Sequence, residues 1–287
     1  VSLVQARDKA QFLPLGVAGE SILSLRLEAI LIGRQQVLDA ISRVSYMQQS
    51  SLRSGREAWY AGPAEDAENW LGLRRRLEQL RRTEEDIRMV DEESTTVLSL
   101  VDNPGKPAFS TRGLVIGHVQ SGKTGNMAAL ISRAADTPFK FVLVLSGMTD
   151  SLRNQTQDRL DEDVVGTAPQ GHWYSWTRVN RRVGDVLDNG DFTPPAGGSF
   201  QLQGSGNHLA VVKKNAGILR RFLRTLKQTP LRDLEQTPFL VIDDECDQAS
   251  VNSAPLKRAI TRINELIRDI IAHLPRVAYI GYTATPF

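Results

Sequence analysis

Past residue 108 the apolar residues of this chain stop recurring every three or four positions and gather into short unbroken runs. There are five: GLVIG (113–117), FKFVLVLSG (139–147), HLAVV (208–212), PFLVID (238–243) and RVAYIGY (276–282). Runs of Val, Ile and Leu without polar alternation belong to strands buried on both faces. Amphipathic helical stretches lie between them and supply crossovers. The pattern predicts an α/β domain with a mainly parallel sheet over residues 109–287.

Residues 1–108 predict an α-helical N-terminal region. Ile22, Leu25, Ala29 and Ile32, then Val37, Ile41 and Val44, recur at helical spacing. SSLRSGREAWYAGP (50–63) reads as a connection. A second helix is expected over about 65–94, with Trp70, Leu73, Leu77, Leu80, Ile87 and Val90 on one face. Its opposite face carries Arg74, Arg75, Arg76, Arg81 and Arg82, which read as a solvated face balanced by Glu84, Glu85 and Asp86. DNPGKP (102–107) ends the helical part. The irregular stretch 188–207 is long enough to be either functional or disordered.

Composition narrows the class. At 41 % hydrophobic residues the chain can bury a core, and 35 Lys and Arg against 33 Asp and Glu leave a net charge of only +2. Bulk charge therefore does not announce a nucleic-acid protein. The single Cys246 rules out a disulfide framework, and no apolar run reaches the length of a membrane span. A cytoplasmic protein with no membrane partner is expected. The chain starts without Met and is expected to be part of a longer protein.

Three segments carry chemistry. GHVQSGKT (117–124) matches G-x-x-x-x-G-K-[ST], directly after a strand and before a helix. Gly117 and Gly122 let the backbone curl so that its N–H groups, with Gln120, Ser121 and Gly125 alongside, face a phosphate at the positive helix end. Lys123 is placed for the β- and γ-phosphates of ATP, and the Thr124 hydroxyl for Mg²⁺. FLVIDDECD (239–247) is an apolar strand ending in acids. One Asp there would hold Mg²⁺ and Glu245 would act as general base on the attacking water. Whether Asp243 or Asp244 is the metal ligand stays open. YIGYTATPF (279–287) is a strand ending in small hydroxyl residues, Thr283 and Thr285.

With these segments the chain resembles superfamily-2 helicase-like ATPases, specifically the bacterial Z1-domain proteins often labelled endonucleases. RGLVIGHVQSGKTGNM (112–127), VLVLSGMTDSLRNQTQDRLD (142–161), LVIDDECDQASVN (240–252) and YIGYTATPF carry the resemblance, which covers roughly residues 70–287. It implies a RecA-like P-loop domain and ATP hydrolysis with Mg²⁺, Lys123, Asp244 and Glu245 being catalytic and Thr283 and Thr285 coupling hydrolysis to motion. It implies DNA as partner, with RNA left open, in restriction- or defence-type systems with further proteins. Thr149, Arg153 and Gln155 match the position of motif Ia, and Lys213, Lys214 and Asn215 a later strand–helix motif, as candidate nucleic-acid contacts. The family continues into a second RecA-like domain carrying an arginine finger, which is expected to lie outside these residues. Alone, these residues are therefore expected to hydrolyse nucleotide weakly or not at all. The four histidines lack metal-ligand spacing, so no nuclease centre is read from them. An NTP-driven switch that senses a ligand or partner without translocating is the alternative. GHWYSWTRVNRR (171–182) could stack bases but reads better as packing.

Overall fold

A computed structural model describes residues 59–116, 123–179, 181–183, 186–188, 190–246 and 254–283. The helical expectation for 1–54 lies outside them. All five apolar runs are strands. In chain order the elements are α1 (Glu68–Gln79), α2 (Glu84–Leu100), β1 (Phe109–Ile116), α3 (Lys123–Ala135), β2 (Phe141–Ser146) and α4 (Asp150–Leu160). A single π-helical turn, Asp161–Val165, prolongs α4. Then come β3 (Trp173–Ser175), β4 (Arg181–Val183), β5 (Val186–Asp188), β6 (Asn207–Lys213), α5 (Ala216–Gln228), α6 (Leu231–Glu235), β7 (Phe239–Asp244), α7 (Ala254–His273) and β8 (Arg276–Thr283). Six strands form one sheet in the order β1–β8–β7–β2–β6–β3. Every neighbouring pair is parallel. β4 and β5 form a separate antiparallel ribbon. The fold is α/β, with the parallel sheet expected of a RecA-like domain.

Strand side chains alternate between two cores. Leu240, Ile242, Ala278, Ile280 and Tyr282 point to the side where α3 packs through Met127–Ile131, together with Trp70 and Leu98. Val241, Phe239 and Val277 point to the other side, covered by Phe222 and Leu226 of α5 and Ile267 and Ile270 of α7. Burying each of the Val, Leu, Ile and Phe side chains among these contributes about 1.5–3 kcal/mol. The two cores together fix which residue of each strand faces which helix layer.

The helix expected over 65–94 is two helices. α1 stops at Gln79, and Arg81 takes a left-handed φ of 55°. Thr83 then starts α2 with a capping box: its hydroxyl accepts from the Asp86 amide, and the Asp86 carboxylate accepts from the Thr83 amide. T-x-x-D at 83–86 is the legible signal for this restart. Leu80, assigned to the buried face, is exposed at the break. Both helices belong to the α/β body, since the compact unit begins at Glu57. They brace α3 in particular. The Asp136 carboxylate at the end of α3 accepts from the Asn69 and Trp70 amides, completing the N-terminus of α1, which has no side-chain cap of its own. Arg133 of α3 lies 3.8 Å from the Trp70 ring centre, donates to Ser94 Oγ at 2.8 Å and pairs with Asp91.

The described part of the 188–207 stretch is anchored at its buried residues. Phe192 and Phe200 are fully buried in the core under α5, and Asp191 accepts from the Lys213 amide. The aromatic stretch is packed too: the Trp173 indole donates to Asn69, and Trp176 packs edge-on to Phe200. Only Tyr174 keeps a large exposed ring.

His208 sits in that aromatic layer, stacked on Phe141. Its Nδ1 accepts from the Trp176 indole at 3.3 Å, so this nitrogen carries no proton. Burial first, then the nearby Lys140 charge, lowers its pKa to about 4. The neutral imidazole is thus the folded form, whereas the unfolded chain takes up a proton near pH 6.5. Stability from this group should be present above pH 6.5 and be lost as pH falls toward 4, by about 2–3 kcal/mol. H208Q keeps an acceptor for Trp176 without a titration in this range. Its urea-unfolding free energy should fall less steeply between pH 6.5 and 4.5 than that of the wild type; an equal slope would contradict the assignment.

Among the described residues no helix is long and apolar enough to cross a membrane.

Candidate active site

The strand order brings the three motif-bearing strands together. β8, which ends in the Thr-Ala-Thr-Pro segment, lies between β1, which enters the GHVQSGKT loop, and β7, which ends in the acids. Their C-terminal ends are level: Ile116 pairs with Thr283, and Asp244 with Tyr282. Two strand spacings separate the ends of β1 and β7, roughly 10 Å. In open parallel sheets the crevice beyond the carboxyl ends of the strands is where ligands bind.

Gly117, Gln120, Ser121 and Gly122 lie outside the described residues, as does Thr285. Lys123 opens α3, and Thr124 and Gly125 in its first turn are half-buried. That helix start faces the same end of the sheet. Further along α3, Asn126 is buried and accepts from the Tyr282 hydroxyl at 2.8 Å, while its own amide donates to Glu93 of α2 at 3.2 Å. Burial pushes the Glu93 carboxyl up. The Tyr282 hydroxyl is also raised, by burial and then by the charges of Glu93 and Asp244. Asp244 is therefore on the α3 side of β7.

Alternation settles how the acids divide. Leu240 and Ile242 point toward α3, so Asp244 does; Phe239 and Val241 point the other way, as does Asp243. Asp243 is buried, with both carboxylate oxygens engaged. Oδ1 accepts from Lys214 Nζ at 2.9 Å, and Oδ2 accepts from the Tyr279 hydroxyl at 2.7 Å. Burial, followed by the Asp243 charge, holds the Tyr279 hydroxyl protonated far above its ordinary range. In this position both Asp243 oxygens are engaged by protein donors, whereas Asp244 faces α3. A hard, oxygen-preferring cation such as Mg²⁺ fits Asp244 and the Thr124 hydroxyl by donor chemistry.

Glu245 follows in a left-handed turn with φ 55°. A non-glycine residue held there costs on the order of 1–3 kcal/mol and persists only where its surroundings enforce it. The enforcing contacts are visible. Lys214 Nζ donates to the Asp244 carbonyl at 2.5 Å and the Glu245 carbonyl at 3.0 Å, and the Cys246 amide donates to the Tyr282 carbonyl at 3.0 Å. Cys246 Sγ also lies 2.9 Å from where a Cβ on Gly281 would be, so β8 needs glycine at this point. Thr283, fully buried, completes β8 beside this turn.

The six candidate nucleic-acid contacts separate into two groups. Arg153 and Lys214 are buried, which corrects their reading as contacts presented to a polymer. Arg153 donates to the Arg178 carbonyl at 2.8 Å and lies against Asn154, Gln157 and the Val211 carbonyl. Its charge is held inside by the packing of α4 on β6, near the carboxylates of Asp161 and Asp191. Thr149 and Asn215 cap α4 and α5. Lys213 pairs with Asp150 at 2.6 Å. Gln155, like Thr149 and Asn215, is exposed. The residues missed from sequence are Tyr279, Asn126 and Glu93. Period-two alternation along β7 and β8 contained the signal for Tyr279; α2 and α3 are too far apart in sequence for the other pair to show.

A scan of the sequence against protein-family models finds no match, and a search of curated proteins finds no significant relative.

Proposed function

We propose that this chain is the ATP-binding half of a superfamily-2 helicase-like ATPase of the Z1 type, a cytoplasmic motor acting on DNA in a restriction- or defence-type system. The observation that carries the reading is the adjacency of β1, β8 and β7 with their ends level and Asp244 turned toward α3. A phosphate loop and a metal-holding carboxylate must meet across one nucleotide, and this strand order supports that meeting. In this reading Lys123 and the loop amides hold the phosphates, and Thr124 and Asp244 would hold Mg²⁺. The ion supplies charge neutralisation at the transferring phosphoryl group. Glu245 takes the proton of the attacking water, and Thr283 and Thr285 link that turn to motion between domains.

A specific observation favours a second reading, an NTP-driven switch. Two of the six residues proposed for a nucleic-acid path are buried, and Lys213 is paired within the domain. The rate of phosphate release by the full-length protein, with and without DNA, separates the two. The motor reading predicts a rate that rises with DNA, most steeply at low salt. A rate indifferent to DNA at every salt concentration would replace it with the switch.

A further inference from the structure

We propose that Lys214 is a positioning residue for Glu245, setting the backbone turn from which that carboxylate meets the attacking water; this rests on the hydrolase reading above. Lys214 follows β6, and β2 lies between β6 and β7, so its stem reaches across a whole strand to the acidic turn. An ammonium has three donors. All three find acceptors, on Asp243 Oδ1 and on the carbonyls of Asp244 and Glu245. The side chain is 7 % exposed, leaving nothing to offer a phosphate outside.

Two features distinguish this from an ordinary buried ion pair. Such a pair is often no more stabilising than apolar residues of similar volume, so stability alone is a weak reason for it. Moreover, two of the three acceptors are consecutive main-chain carbonyls, which can converge on one ammonium only if the chain turns between them. That turn is where Glu245 holds its left-handed φ. Asp243 is itself fixed from the other side by Tyr279, so Lys214 is anchored to the sheet while it grips the turn. A general base must lie within hydrogen-bond reach of the proton it takes, and a displacement of about 1 Å can lower a rate by on the order of 10²-fold.

K214M alone strands the Asp243 carboxylate in the core and can fail by unfolding. K214M/D243N leaves the buried site neutral and is the diagnostic protein, compared with D243N, which keeps the lysine on both carbonyls. In the full-length protein K214M/D243N should fold, bind Mg²⁺–ATP like the wild type and lose about 10²-fold in kcat with KM little changed. D243N should retain much more of the turnover. Adding E245Q to K214M/D243N should cost little further, because both changes remove the same interaction. Wild-type kcat in K214M/D243N, or a full additional loss on adding E245Q, would overturn the positioning role. A double variant that does not fold would overturn it too, since the lysine would then be holding the fold. The wild-type control is separate: absence of any ATP turnover there would overturn the hydrolase reading itself.

Discussion

Replacing Glu245 by Gln in the full-length protein should slow ATP turnover by roughly 10²- to 10⁴-fold while Mg²⁺–ATP binding survives. The amide keeps the shape and a hydrogen-bond acceptor but cannot take a proton from water. Binding should survive because the metal ligand in the proposed mechanism is a different residue, Asp244, whose charge reaches Tyr282 on the α3 side of the sheet. D244N should behave differently, weakening the Mg²⁺ dependence of binding as well as the rate. Steady-state phosphate release and nucleotide titration on the two variants check this. A nearly silent E245Q beside a D244N that binds normally but does not turn over would move the register back by one. Asp243 would then have to release Lys214 and Tyr279 to reach a metal.

The sheet was legible because its inner strands are buried on both faces; β1, at the sheet edge, departs from that expectation, with Leu114 and Ile116 exposed. Runs such as FVLVLS and FLVID have no polar alternation, as expected of a strand sandwiched between helix layers. What escaped was decided by single residues or by distance in sequence. The break between α1 and α2 rests on Arg81 and the Thr83–Asp86 box, too local for a hydrophobic period to show. β3 is three residues long, and it joins the sheet through β6 only after more than thirty intervening residues. The 188–207 stretch read as functional or disordered because few apolar residues, Phe192, Phe200 and Leu202, anchor its described part in a core.

At the site, the residue types were legible but their facing was not. DDECD offers consecutive acids, and only the strand's alternation, counted from buried Phe239, separates an acid turned toward α3 from one locked behind the sheet. Lys213 and Lys214 look alike as neighbouring cations on a chain. The strand end sends one to Asp150 and the other to Asp243, so the same pair serves a helix and the acidic turn. Arg153 shows the same limit, because a polar helix such as DSLRNQTQDRL gives no sign that Arg153, unlike Arg159, is fully buried beside Gln157 and Leu160.

At the centre of the proposed mechanism is a nucleotide held between the start of α3 and the end of β7. Lys123 opens α3 and is the cation that the G-x-x-x-x-G-K-[ST] pattern places against the β- and γ-phosphates. Charge-assisted hydrogen bonds of this kind contribute about 1.5–3 kcal/mol each, and more than one is lost with the side chain. K123A should therefore weaken ATP binding by on the order of 10²-fold or more and abolish hydrolysis. The first turn of a helix tolerates alanine, so folding should be unchanged. The decisive measurement is calorimetric titration of Mg²⁺–ATP into full-length wild type and K123A, with circular dichroism on both. The account predicts saturable binding to the wild type, lost in a K123A protein with the same spectrum and melting temperature. Equal ATP affinity in the two, with equal hydrolysis, would contradict the phosphate-loop site.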